Sequence, residues 1–134
     1  MNDAIDPVPE LPEWLLPRFP FARRVCTVED QRFHLVDEGT GPVIVLMHGN
    51  PMWSFLWRKV IPPLRDAGYR VVAPDLIGLG LSSKPRSPGA HRLDWHVRLF
   101  SALMDQLGIE SCVIAGQDWG ARWWPAWPRA IPNA

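Results

Sequence analysis

The sequence predicts an α/β fold in which a mostly parallel sheet is flanked by helices. Three short runs rich in apolar residues, at 43–47, 70–74 and 112–115, each lead into a loop that contains glycine. Residues between these runs follow a helical pattern. Strands that alternate with helices favour parallel pairing with right-handed crossovers, so we expect one sheet built from these three strands.

The length and charge of the chain exclude several functional classes. Its 134 residues make one domain or part of one. The formal net charge is zero, so nothing indicates a nucleic-acid or anionic-membrane partner. No apolar run approaches the roughly 20 residues of a membrane span. We also expect no metal and no cofactor.

The cysteines and the N-terminal residues indicate in which cellular compartment we expect the protein. Cys26 and Cys112 lie far apart, and we interpret both as free thiols in a reducing environment. The N-terminal stretch lacks a basic segment followed by an apolar one, so it does not resemble a signal peptide. We therefore expect a cytoplasmic location.

The chain divides into three parts, at 1–22, 23–120 and 121–134. The first 20 residues carry five prolines, which exclude a regular helix or a central strand. We expect residues 1–22 to form an extended strap, held in place by Trp14, Leu15 and Phe19. The core would follow at 23–120.

The first elements of the core are a hairpin, a strand and an interrupted helix. Alternating runs at 24–28 and 32–36 predict a β-hairpin, and a glycine-rich turn at 39–42 leads into the strand at 43–47. Ser54 would cap a helix that continues through Val60. The pair Pro62-Pro63 predicts a kink or a restart before the end at Gly68.

The remaining elements surround a third strand. A strand at 70–74 precedes a loop at 82–89. Helical spacing then predicts one helix that ends at Gly108, with these apolar positions: Leu93, Val97, Phe100, Met104 and Leu107. The strand at 112–115 follows.

Gly116, Asp118 and Gly120 form a G-x-nucleophile-x-G pattern directly after the last strand. In such an elbow the nucleophile sits on a sharp strand-to-helix turn, and the glycines allow the close backbone approach. Asp118 occupies the nucleophile position. A carboxylate with an unperturbed pKa near 3.9 is ionised at neutral pH and needs no base to activate it.

A second motif, His48-Gly49-Asn50-Pro51, follows the strand at 43–47. An H-G-x-x loop at this point supplies one backbone N–H of an oxyanion hole, and the residue after the nucleophile supplies the other. We interpret His48 as structural rather than as the catalytic base.

Two further polar residues carry weaker signals. Asp75 follows the strand at 70–74 and precedes Gly78, so a turn-stabilising role is favoured over a catalytic one. His34 alternates within a predicted hairpin strand and carries no signal above background.

Together the H-G-N-P-x-W-S motif, the D-L-I-G segment and the D-W-G motif closely resemble the haloalkane dehalogenases, a family of α/β-hydrolases. The resemblance extends from about Arg32 to Gly120. It implies that Asp118 attacks a halogen-bearing carbon to form an alkyl ester, with Asn50 and Trp119 binding the halide and holding the oxyanion. The implied partners are a small halogenated organic substrate and water.

Two other interpretations stay open. Epoxide hydrolases share the fold and the aspartate nucleophile, but they typically show H-G-F-P and G-H-D-W-G, where this chain has Asn50 and Gln117. The other alternative is a truncated product without turnover. The family's acid, base histidine and cap domain lie beyond the nucleophile, and no histidine follows Asp118 here.

The residues after the elbow do not fit a helix beneath the nucleophile. Residues 121–134 contain three prolines and three tryptophans, a composition that forbids a regular helix packed against a sheet. Tryptophan has a single codon, which limits the DNA sequences that can encode this segment. Reading that DNA one base earlier can give an amphipathic helix that continues from the elbow. We therefore interpret this segment as a frameshifted tail, and we expect the strand at 112–115 to present an unpaired edge.

Overall fold

The computed structural model describes residues 7–49, 52–86, 92–117 and 130–131. The strands are β1 (Arg23–Val28), β2 (Gln31–Glu38), β3 (Val43–Met47), β4 (Arg70–Pro74), β5 (Cys112–Gly116) and β6 (Ala130–Ile131). The helices are α1 (Ile61–Asp66) and α2 (Leu93–Gln106), and two 3₁₀ turns lie at Leu16–Arg18 and Ser54–Trp57.

The strands form one mixed sheet in the order β1-β2-β4-β3-β5-β6. The β1–β2 hairpin joins the sheet through an antiparallel pairing of β2 with β4. From β4 onward the pairings β4–β3, β3–β5 and β5–β6 are parallel. This arrangement confirms the α/β fold class predicted from the alternation of strands and helices.

The predicted hairpin and central strands are confirmed. The hairpin turns at Glu29, which adopts the left-handed conformation with φ of 57°. Strands β3 and β4 have the predicted bounds, and β5 extends one residue further, to Gly116. Both cysteines are buried free thiols, as expected.

The prediction of an unpaired edge at the last strand is wrong in part. β6 pairs in parallel with the start of β5, joining Cys112 to Ala130 and Val113 to Ile131. Only the first two of the five β5 residues gain a partner in this way. The other residues of the tail, on which the frameshift interpretation depends, lie outside the described part of the chain.

The two faces of the sheet carry separate apolar clusters. On what we call the helix face, the buried side chains of α2 form one cluster with residues of β1, β2, β3, β4 and β5. The main members are Phe33, Leu35, Val45, Val72, Leu99, Phe100, Leu103, Met104 and Ile114. On what we call the aromatic face, the N-terminal segment and α1 pack against the sheet. Its main members are Leu15, Phe19, Val36, Leu46, Ile61, Val71 and Ala73, with Trp53 and Phe55 beside them.

Helix α2 confirms the predicted helical spacing and ends before Gly108, which has a φ of +72°. Leu93, the first residue of the helix, is nevertheless 46% exposed, so the predicted apolar face is buried only from the second turn onward. Among the described helices, none is long and apolar enough to cross a membrane.

The segment around the two prolines shows that the predicted restart is correct. A 3₁₀ turn at Ser54–Trp57 gives way to α1, where Pro62 and Pro63 occupy the first turn. Proline is tolerated there because its missing N–H has no partner within the helix. The prediction that Ser54 caps the helix is wrong, since its hydroxyl makes no capping hydrogen bond and Trp53 occupies the N-cap position.

Residues 7–22 lie along the aromatic face. Phe19 is 1% exposed, and its ring contacts those of Phe21, Trp53 and Phe55 at centroid distances of 5.2 to 5.9 Å. Leu15 is also buried. The prediction that Trp14 holds this segment in place is wrong, because its side chain is 72% exposed.

Candidate functional site

The strands β3 and β5 bring the two sequence motifs to neighbouring strand ends. Met47, the last residue of β3, pairs with Gly116, the last residue of β5. The N–H of Gln117 also donates to the Met47 carbonyl at 3.0 Å. His48 therefore follows one of two adjacent carboxyl ends, and Asp118 comes one residue after Gln117 at the other.

Part of the predicted site lies outside the described residues. This applies to the nucleophile, to the halide donors and to two motif residues: Asp118, Asn50, Trp119, Pro51 and Gly120. The structure describes the motif residues His48, Gly49 and Gly116, and it places Gly49 beside the β3 end of this pair.

His48 is fully buried, and both of its ring nitrogens are engaged. Nδ1 donates to the Gly49 carbonyl at 2.8 Å, and Nε2 accepts the backbone N–H of Leu76 at 2.9 Å. Burial lowers the pKa of the ring, against opposing effects of the Gly49 carbonyl and the Asp75 carboxylate. The free lone pair that a general base needs is occupied, so this geometry gives His48 a structural role.

Asp75 lies directly after β4 and is fully buried. Its Oδ1 accepts the backbone N–H of Ser54 at 2.7 Å, and its Oδ2 accepts the N–H of Leu81 at 3.0 Å. Oδ2 also accepts a hydrogen bond from Nδ1 of His34 at 2.8 Å. Both carboxylate oxygens are therefore committed to hydrogen bonds within the protein.

The pKa of Asp75 lies below its ordinary value. Burial on its own raises the pKa, because it disfavours the charged form. The hydrogen bond from His34, followed by those from the N–H groups of Leu81 and Ser54, outweighs burial and stabilises the anion. Asp75 is thus an ionised, buried acceptor at neutral pH.

The pairing of His34 with Asp75 was missed in the sequence. Nε2 of His34 lies 3.2 Å from Nη1 of Arg23, which can only donate, so the His34 ring carries its proton on Nδ1. The same Arg23 nitrogen donates to the Pro9 carbonyl at 2.9 Å. One signal was available: His34 is the single polar residue in an apolar run at 33–36, which is typical of a strand buried on both faces.

Ser82 links the same two residues through its hydroxyl. Its Oγ donates to the Asp75 carbonyl at 2.6 Å and accepts the backbone N–H of His34 at 2.9 Å. Within the described ranges, no group of three or more His, Cys, Asp or Glu side chains could hold a metal ion. The site is therefore a set of hydrogen bonds that fixes loops at one end of the sheet.

Comparison with known families agrees with this architecture. A model of the α/β-hydrolase fold family matches residues 42–123, which is more than half of the chain. The chain belongs to this family. The match includes both the His48 loop and the Gly116 elbow, the two places where α/β-hydrolases carry their oxyanion hole and nucleophile.

Characterised relatives of this α/β-hydrolase fold protein include haloalkane dehalogenases. The chain is 48% identical over 102 residues to haloalkane dehalogenase 2 of Mycobacterium tuberculosis, covering 76% of this chain and 35% of that protein. It is 39% identical over 112 residues to the haloalkane dehalogenase of Psychrobacter cryohalolentis, covering 78% and 37%. These similarities confirm the resemblance predicted from the motifs. The chain spans about a third of the length of these relatives.

Similar solved structures include epoxide hydrolases. An epoxide hydrolase from an endophytic Streptomyces is 37% identical with a TM-score of 0.75, covering 82% of this chain and 34% of that one. An epoxide hydrolase from Vigna radiata is 35% identical with a TM-score of 0.74, covering 78% and 34%. The chain is thus similar in sequence to haloalkane dehalogenases and in fold to epoxide hydrolases.

Proposed function

We propose that the chain carries the alkylation half of a haloalkane dehalogenase reaction. In this step an Asp118 carboxylate oxygen attacks the halogen-bearing carbon of a small haloalkane. A carbon–oxygen bond forms, the carbon–halogen bond breaks, and the bond pair leaves with the halide. The product is an alkyl ester on Asp118.

The observation that carries the proposal is the pairing of Met47 with Gly116 at adjacent strand ends. The carboxyl ends of β3 and β5 are therefore adjacent, and this adjacency supports a site shared by the residues that follow them in sequence. Asn50 would then donate to the departing halide together with the indole N–H of Trp119. The backbone N–H groups of the same two residues would hold an oxyanion during ester hydrolysis.

Other residues near these strand ends do not compete with Asp118 for the role of nucleophile. Asp75 has both oxygens engaged and is fully buried, so its carboxylate cannot reach a substrate. His48 is similarly occupied. Hydrolysis of the ester requires a base histidine, and no histidine follows Asp118 in these 134 residues. Expressed by itself, the chain is expected to react once and to stay alkylated.

The experiment is to incubate the purified chain with n-butyl bromide and to follow bromide release and intact mass. We expect one bromide per chain and a persistent gain of one butyl group, located on Asp118 by peptide mapping. The control is Asp118→Ala, which should lose the adduct. Because Cys26 and Cys112 are also alkylable, a butyl group found on a thiol and retained in Asp118→Ala would contradict the proposal.

Epoxide opening is the second candidate, favoured by the solved structures of similar fold. The same experiment with an epoxide such as styrene oxide separates the two activities. An epoxide hydrolase-like chain would gain the mass of the whole epoxide on Asp118 without releasing halide. Asn50 and Gln117, where epoxide hydrolases typically carry an aromatic residue and a histidine, favour the haloalkane. A chain that reacts with neither compound would be a fragment without activity.

A further inference from the structure

We propose that Asp75 is a positioning residue that holds Ser54 at the end of the connection from His48 to Ser54, called the loop below, whose sequence includes the candidate halide donor Asn50. This inference rests on the proposed function, since it assigns the loop a part in alkylation. Asp75 acts through the backbone of that loop and does not touch the substrate. Its own carboxylate is saturated by hydrogen bonds.

Two consecutive residues, Asp75 and Leu76, bind the described residues at the two ends of the loop, Ser54 and His48. At its start, the Nε2 of His48 accepts the N–H of Leu76 at 2.9 Å. At its end, the N–H of Ser54 donates to Oδ1 of Asp75 at 2.7 Å. Because Asp75 and Leu76 follow directly on β4, the loop is attached to the neighbouring strand of the rigid sheet.

The carboxylate replaces a cap that the loop does not supply itself. The 3₁₀ turn at Ser54–Trp57 has no side-chain capping bond, and Ser54 Oγ has no hydrogen-bond partner in the described part of the chain. The Ser54 N–H would otherwise be a buried, unpaired donor. Asp75 supplies an ionised acceptor from another element, and a hydrogen bond to a charged acceptor is stronger than one between neutral groups.

The second carboxylate oxygen prevents Asp75 from turning away from the loop. Oδ2 is held by His34 and by the Leu81 N–H, and Arg23 contacts His34 from its other side. Gly80 is required for this approach, because a Cβ atom there would collide with the Asp75 carboxylate and its φ is +57°. The hydrogen bonds of Oδ2 to His34 and Leu81 therefore fix the orientation of the carboxylate independently of its hydrogen bond to Ser54.

Two substitutions at one position isolate the proposed hydrogen bond. Ser54→Pro removes the N–H that donates to Asp75, while Ser54→Ala removes only the unpartnered hydroxyl and is the matched control. Proline should fit, because Ser54 is the first residue of the 3₁₀ turn and Trp53 is extended with φ of −154° and ψ of −176°. The His34–Asp75 pair stays intact in both variants.

The measurements are the single-turnover rate of alkylation by n-butyl bromide and hydrogen exchange of peptides that cover the loop. Ser54→Ala should match the wild type in both. In Ser54→Pro we expect alkylation to slow on the order of tenfold to a hundredfold, since a small misplacement of a donor is costly. Loop amides should exchange faster, while amides of β3 and β4 keep their protection.

Each outcome decides the question. An unchanged alkylation rate in Ser54→Pro overturns the positioning role, even if the loop exchanges faster. If the wild type is not alkylated at all, the proposed function fails, and exchange alone decides whether Asp75 fixes the loop. Equal loop exchange in the two variants would then overturn the inference as well. Loss of exchange protection throughout the sheet would show that Ser54→Pro unfolds the sheet. In that case Asp75→Asn takes its place in the same two measurements, with the exposed Asp66→Asn as control.

Discussion

The helix face of the sheet lies under one helix of 14 residues, whereas the aromatic face lies under several short segments. On the helix face, apolar side chains of α2 belong to one cluster with residues of five strands, β1 to β5. On the aromatic face, the N-terminal segment, a 3₁₀ turn and a six-residue helix pack through aliphatic side chains and a group of aromatic rings around Phe19. The polar network of His34, Asp75 and Ser82 lies among the loops at the end of the sheet.

The difference shows how the fold separates stability from positioning. A long amphipathic helix buries its apolar stripe without help from polar groups. Short segments bury less each and leave more helix ends and loop amides to be satisfied, which Asp75 does for the Ser54 turn. The loops of the candidate site belong to this second, hydrogen-bonded part of the structure.

The largest loss of stability should come from a substitution on the aromatic face, although short segments cover this face. Phe19→Ala is expected to lower the free energy of unfolding by about 3–5 kcal/mol, because a large buried ring leaves a cavity among Phe21, Trp53 and Phe55. Chemical denaturation of both proteins measures the change. Trp14→Ala, five residues earlier and exposed, should change it by less than about 0.5 kcal/mol. If the two variants lose the same stability, the N-terminal segment is not part of the core.

The matching test on the helix face is Leu103→Ala. Leu103 belongs to α2 and its side chain is fully buried, so its truncation should cost about 2–5 kcal/mol in the same denaturation experiment. Leu93→Ala in the exposed first turn of α2 is the control and should be nearly neutral. We expect residues on the helix face to affect global stability only. Faster hydrogen exchange in the His48–Ser54 loop of Leu103→Ala, without faster exchange in the sheet, would contradict this comparison of the two faces.

A smaller, pH-dependent loss of stability should come from breaking the ion pair of Arg70 with Asp37. Arg70 binds both oxygens of Asp37, at 3.0 and 2.8 Å, and also donates to the Leu107 carbonyl at the end of α2. Burial raises the pKa of Asp37, but the hydrogen bonds and charges of Arg70 and Arg24 outweigh it, and the pKa is lowered. Asp37→Asn should therefore cost about 1–3 kcal/mol at neutral pH.

The sign of the pH dependence follows from that lowered pKa. The stability contributed by Asp37 is fully present above the unfolded pKa of about 3.9 and is lost as pH falls through the lower folded value. Denaturation at a series of pH values should show the wild type and Asp37→Asn converging only on acidification below about pH 4. A difference that stays constant down to about pH 2 would show that the ion pair contributes nothing.

Much of the fold could be predicted because local patterns determine it. The apolar runs at β3 and β4 set the bounds of both strands, and the spacing from Val97 to Leu107 set α2. The hairpin and the restart at Pro62-Pro63 follow from turn chemistry and from the missing proline N–H. The two motifs in their order were sufficient to indicate the family, since each depends on residues adjacent in sequence.

The remaining features depend on residues far apart in the chain, and sequence patterns do not carry them. Nothing near Trp14 shows that the N-terminal segment turns its other side to the sheet. The Ser54 turn is capped from Asp75, 21 residues later, and His34 meets Asp75 across 41 residues. A buried charge is stable only where several partners converge on it. The sequence indicated a turn-stabilising carboxylate at Asp75, but its partners converge only when β2, β4 and their loops come together, so tertiary structure alone determined which groups it binds.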